Sequence, residues 1–185
     1  AAASGAYLDL LGWIYLLVFV CLVLVFWNSP RDRVPLYLTN RRTWEAVDGL
    51  LPQNPFFSFL DLGSGIGGLL LHLARRHPEA RFAGIESAPL PFALAWLRLR
   101  LSGLANIELV RGDFWAEDLS RHDLIYAFLS PEPMPALGEK AKEQMKPGAM
   151  LLSNSFPIPE LEPERIMEVE DRRGTRLFIW HPAES

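Results

Sequence analysis

The chain has 185 residues, 50% of them apolar and 22% charged, with a net charge of −4, one Cys and a mean hydropathy of +0.11. A single Cys excludes a disulfide framework within the chain and a cysteine-rich metal site. The acidic balance offers no global electrostatic reason to bind nucleic acid, which is not expected as a partner.

The apolar excess is concentrated near the amino terminus. Leu10 to Trp27 runs without a charge, about the length a helix needs to cross ~30 Å of hydrocarbon. No Lys or Arg precedes it, as a secretory signal would require. The run therefore predicts a single transmembrane helix, with the aromatic rings of Trp13, Tyr15 and Trp27 near the interfaces. Arg31, Arg33, Arg41 and Arg42 follow directly, so the positive-inside rule predicts a single-pass protein with its carboxyl-terminal domain on the cytoplasmic or equivalent inner side. In a bacterium this would be the inner membrane, with the bilayer as a partner. The expected organisation is an anchor over 1–28, a linker and pre-domain helix over 29–55, and one domain over 56–185.

Thr43 is expected to cap a short helix reaching Leu51, with Trp44, Val47, Leu50 and Leu51 on one side. After a Pro-rich break, strands are predicted over 56–62, 81–85, 107–111, 123–129 and 149–153. Helices are predicted between them over 67–76, 88–101 and 135–145. Two further strands, 165–170 and 176–180, close the chain. Strands alternating with helices imply an α/β fold built from parallel β-α units. The helix containing Phe92 to Leu101 is apolar almost all round, which predicts burial, with a membrane-facing surface as the alternative. The acid-rich stretch from Glu160 to Asp171 reads as a solvated face.

The chemistry concentrates at three strand ends. Asp61-Leu62-Gly63-Ser64-Gly65-Ile66-Gly67 lies where the first strand becomes a helix. Glycines let backbone turn sharply and approach a ligand closely. A dinucleotide site would use Gly-x-Gly-x-x-Gly; here the spacing is Gly-x-Gly-x-Gly with an acid two residues upstream, which opposes a phosphate and suits a cationic ligand. Glu86 ends the second strand, where a carboxylate can accept from both hydroxyls of a ribose. Asp113 and Phe114 follow the third strand, placed for an exocyclic adenine amine and the face of its ring. His72, His77, His122 and His181 do not repeat at metal-ligand spacing, so no metal is expected.

These residues resemble the cofactor motifs of class I S-adenosylmethionine-dependent methyltransferases, over roughly Phe56 to Ser155. The resemblance implies a Rossmann-like, seven-stranded, mostly parallel methyltransferase sheet whose last two strands form a hairpin. It implies S-adenosylmethionine as cofactor, held by Asp61, Gly63, Ser64, Gly65, Gly67, Glu86, Asp113 and Phe114. The apolar span, the glycine loop, Phe128-Leu129-Ser130-Pro131-Glu132-Pro133-Met134 and Ser153-Asn154-Ser155-Phe156-Pro157-Ile158-Pro159 are together similar to the membrane-anchored protein lysine methyltransferases of mitochondria. Those enzymes act on the ATP synthase c subunit and the adenine nucleotide translocase, and they have short bacterial relatives. Tyr37 and Thr39 match that family's pre-domain Tyr and Thr motif loosely.

That resemblance implies methylation of a lysine on a membrane-associated protein. Ser130 and Glu132 are the catalytic candidates, standing where amine and amide methyltransferases carry Asn-Pro-Pro-aromatic. A small-molecule or lipid methyltransferase, or an S-adenosylmethionine-binding protein without catalysis, would fit the same residues.

Overall fold

A computed structural model describes residues 2–25 and 37–182, with side chains from Gly12 onward in the first segment. Helix α1 spans Ala2–Val25 and α2 Arg41–Asp48. Strand β1 (Ser58–Leu62) leads to α3 (Gly68–Arg76), β2 (Arg81–Glu86) to α4 (Pro89–Ser102), and β3 (Ile107–Arg111) to two 3-10 turns, Phe114–Ala116 and Leu119–Arg121. Then come β4 (Leu124–Ala127), α5 (Met134–Gln144), β5 (Met150–Asn154), β6 (Arg165–Glu168) and β7 (Arg176–Trp180).

The seven strands form one sheet in the order β3-β2-β1-β4-β5-β7-β6. The first five are parallel, while β7 runs antiparallel between β5 and β6. Order reverses on the two sides of β1, so the crevice beyond its carboxyl end is where an open sheet of this kind binds ligand.

Alternation along the strands builds two cores. Leu60, Leu62, Ile125, Ala127 and Leu151 face α5. Phe59, Phe82, Leu124, Tyr126 and Leu152 face α2 and α3. Asp61 has the parity of Phe59 and is the register partner of Tyr126, so its carboxylate projects on the α2 and α3 side.

The expected span is corrected. Among the described residues no helix is long and apolar enough to cross a membrane. The single-pass, cytoplasmic-side localisation and the bilayer as a partner lapse with it. Trp27, Arg31 and Arg33, on which the span's outer end and its orientation rested, lie outside the described residues.

Two local expectations also change. Helix α4 buries only Pro91 and Ala95, while Leu94, Trp96, Leu97 and Leu101 are exposed, Leu101 by 79%. An all-round apolar sequence carries no information about which face packs. Here α4 meets α3, the sheet and α1, yet only two of its residues are buried.

Helix α2 is capped by Asn40 rather than Thr43. Asn40 Oδ1 accepts from the Thr43 N–H at 3.0 Å, while Asn40 Nδ2 donates to Asp171 Oδ2 at 2.6 Å. Asp171 also accepts from Thr175, both N–H and hydroxyl, and from the Arg173 N–H. These bonds, from Thr175 first, hold its carboxyl well below the usual carboxylate range. The cap thus ties α2 to the turn before β7. Asn40→Ala should cost about 1–2 kcal/mol, read as a lowered urea midpoint with unchanged slope.

Candidate functional site

The glycine loop after β1 turns back on the end of β2. Gly63, Gly65 and Gly67 have φ of 76°, 56° and 70°, left-handed values that favour glycine. The Gly63 and Ser64 N–H groups donate to Ile85 O at 3.0 and 2.9 Å, and Gly67 N–H to Ser64 O at 2.9 Å. Gly65 N–H donates to Glu86 Oε2 at 2.7 Å. Four loop N–H groups are thus taken by the protein itself. A phosphate cradle would present them to the ligand, so this geometry argues against a dinucleotide.

Two acids stand beside the loop. Asp61 is 4% exposed, and burial first, then the charge of Glu86, pushes its carboxyl up to about 8. Glu86 is 7% exposed. Its Oε1 accepts from the Ala88 N–H at 2.8 Å, opposite the bond from Gly65. Burial raises its carboxyl too, against the lowering effect of those N–H donors. Each Glu86 oxygen keeps a lone pair for a further donor. Two adjacent buried carboxylates are costly to ionise, and a cation between them and the loop would relieve that cost.

A cavity of about 200 Å³ opens above the loop, lined among others by Asp61, Gly63, Ser64, Tyr37, Thr39 and Phe128. The Tyr37 ring stacks on Phe128 at 4.9 Å and meets Phe156 at 5.9 Å. Trp44 donates through Nε1 to Thr39 Oγ1 at 2.7 Å and packs so closely on α3 that a Cβ at Gly68 would stand 2.7 Å from its Cζ2. Tyr126 reaches the cavity from β4, and Asn154 Nδ2 donates to its hydroxyl at 2.8 Å. Burial keeps that phenol un-ionised. Ser155 Oγ in turn donates to Asn154 Oδ1 at 2.7 Å, so the segment after β5 braces this wall. Arg98 of α4 completes the rim, donating to Ile66 O at 2.5 Å.

The other sequence candidates are distributed around this centre. Asp113 accepts from the Trp115 N–H at 2.9 Å and caps the first 3-10 turn. Phe114 is buried beside the Trp115 ring, with centroids 4.7 Å apart. Ser130 lies just past β4, 5% exposed, and its hydroxyl, like that of Ser64, has no hydrogen-bond partner among the described residues. Glu132 is exposed on the turn leading into α5, and neither it nor Ser130 is among the residues lining the cavity. Phe128 opens one of the quoted motifs and Trp44 reads only as part of the apolar side of the pre-domain helix, while nothing in the motifs points to Arg98 or Tyr126. Tyr126 is placed there by its register with Asp61 on the adjacent strand.

Orphaned hydroxyls at Ser64 and Ser130, a buried acid pair and a loop with its amides turned inward fit a cationic, hydroxyl-rich nucleoside ligand. With the five parallel strands and the antiparallel β7, they define a Rossmann-like, S-adenosylmethionine-dependent methyltransferase. A family model described as the ANTKMT methyltransferase domain matches residues 61–165, and the chain belongs to that family.

A protein-lysine N-methyltransferase of Saccharolobus islandicus is 26% identical over 112 residues, 60% of this chain and 70% of that protein. An adenine nucleotide translocase lysine N-methyltransferase of Mus musculus is 30% identical over 140 residues, 74% of this chain, which spans 59% of that relative's length. The crystal structure of an RNA methyltransferase from Salinibacter ruber, in complex with S-adenosyl-L-homocysteine, superposes with a TM-score of 0.73 at 27% identity, covering 80% of this chain and 95% of that one.

Proposed function

We propose that this chain methylates lysine side chains of a protein. The observation that carries the reading is the cavity in which the pre-domain residues Tyr37 and Thr39 close over Asp61 and the glycine loop. Two relatives named as lysine methyltransferases support the substrate class.

In this reading Asp61, Gly63, Ser64, Gly65, Gly67, Glu86, Asp113 and Phe114 hold S-adenosylmethionine. When bound, it supplies a methyl group activated on a sulfonium. The chain's task is then to present an uncharged amine in line and to exclude water, and such positioning supplies ~7–11 kcal/mol. A lysine of ordinary pKa ~10.4 must shed its proton. The stacked Tyr37 and Phe128 rings form an apolar wall that disfavours the ammonium through desolvation, while their faces still tolerate an approaching cation. Ser130, with its hydroxyl buried and unpaired among the described residues, can accept from an amine N–H. Glu132 is exposed and does not line the cavity, so no step is assigned to it.

The test supplies methyl-labelled S-adenosylmethionine and a cell extract to the full chain, followed by acid hydrolysis and separation of amino acids. Label is expected in methylated lysine. Label recovered in RNA, or in an organic extract, would overturn the substrate class. Cofactor binding without any label transfer would overturn catalysis.

A further inference from the structure

Next to the cavity, across Trp44 and Gly68, lies a second concavity of about 610 Å³. Arginines from three elements converge on it: Arg41 of α2, Arg75 and Arg76 of α3, and Arg98 of α4. Two acids offset part of this charge. Glu45 pairs with Arg41 at 3.2 Å and Asp48 with Arg76 at 2.8 Å. Arg98 donates to a loop carbonyl, and Arg75 has no ion pair among the described residues, so an excess of two positive charges remains.

That excess is local, in a chain of net charge −4, and like charges gathered round one hollow repel unless an anion joins them. His72 also lines the groove, and its Nε2 is buried without a hydrogen-bond partner among the described residues. Leu71, Leu101 and the Trp44 ring add apolar lining to the hollow.

We propose that this groove binds a carboxylate-bearing segment of the protein substrate, next to the lysine that enters the cavity. The inference rests on the lysine reading above. Trp44, Gly68 and Arg98 belong to both hollows, so a peptide lying in the groove reaches the cavity without crossing other surface. Guanidinium forks match carboxylates bidentately, and the apolar part of the lining suits a peptide's aliphatic side chains. RNA fits less well, because a polyanion seeks an extended basic track with stacking platforms. This patch is short and set in an acidic chain.

The experiment uses the full chain and two labelled synthetic peptides, one Lys flanked by Glu and its twin flanked by Gln. Binding is read by fluorescence anisotropy without cofactor, at low and high salt. The Glu peptide should bind about tenfold more tightly at low salt and lose most of that advantage at high salt, as screened charge pairs do. Arg75→Glu should erase the preference. Lys142→Glu, on α5 across the sheet, should retain it.

Equal binding of the twins, or a preference that survives Arg75→Glu, would overturn the proposal. So would an RNA oligonucleotide that displaces the Glu peptide and loses affinity in the same variant. Adding methyl-labelled S-adenosylmethionine separates the two readings: a bound Glu peptide whose lysine stays unlabelled overturns the lysine reading and leaves the groove's preference standing.

Discussion

Asp61→Asn is expected to stabilise the free protein by about 1–2 kcal/mol at neutral pH, or roughly 2–8 °C in Tm, while weakening S-adenosylmethionine by about 100-fold. The stability gain follows from burial. In the folded chain the Asp61 carboxyl is pushed up to about 8 from an ordinary 3.8. Below pH ~4 both folded and unfolded states hold the proton, and the residue has no pH-dependent cost. Between about 4 and 8 the unfolded chain releases it and the folded chain keeps it, so stability falls as pH rises through that window.

At ~1.4 kcal/mol per pKa unit the full interval caps the effect near ~6 kcal/mol. An Asn amide must still find hydrogen bonds in the same place, which leaves the smaller net gain. The Tm of the variant relative to the parent should therefore rise steadily from pH 4 to pH 8. A Tm difference that is flat across that range would show that Asp61 ionises freely and that its burial is not the source.

Binding moves the other way. A cationic ligand stabilises the carboxylate and draws its pKa down, so cofactor affinity in the parent should rise with pH up to about 8, with release of a proton. Calorimetry in two buffers of different ionisation enthalpy measures that proton directly. The Asn variant should bind weakly and without proton release. A gain in stability coupled to a loss of binding is the trade expected where a site is held in a costly charge state.

Much of the fold was legible because its signals are local. The strands 107–111 and 176–180 keep the bounds that alternation and flanking turn residues predict, and the glycine loop declares itself by spacing. Four features were not. The exposed face of α4 was hidden because Phe92 to Leu101 is apolar almost all round, so only its neighbours decide which side is covered. The cap of α2 went to Asn40 because that residue also reaches Asp171, 131 positions away, and short-range capping rules do not see such a partner. Tyr126 and Arg98 look like an ordinary strand aromatic and an ordinary surface base. They become site residues only when β4 is laid beside β1 and α4 against the loop. Ser130 and Glu132, two positions apart in one motif, are separated by the turn after β4, which buries one and exposes the other.

Glu86→Ala is expected to act in the opposite sense to Asp61→Asn, costing about 2–4 kcal/mol of stability and abolishing measurable cofactor binding. The two acids are close enough for the charge of Glu86 to raise the Asp61 carboxyl, yet their hydrogen bonding differs. Glu86 takes the N–H groups of Gly65 and Ala88, and Ala would leave both donors buried without an acceptor. Burial also raises the Glu86 carboxyl, so its charge is itself a cost. What the substitution loses is the pair of acceptors that holds the glycine loop to the start of α4. Glu86→Gln tests this separation: its carbonyl can still accept from one of the two N–H groups, but its amide points a hydrogen at the other, so an intermediate loss of ~1–2 kcal/mol is expected. Removing the charge also relieves Asp61, whose carboxyl should fall below 8 in both variants and narrow the pH window over which stability declines. Urea unfolding at several pH values reads both effects. Hydrogen exchange at the Gly65 amide should accelerate in Glu86→Ala and remain slow in Asp61→Asn; equal protection in the two would show that the loop is held by its bonds to Ile85 and not by Glu86.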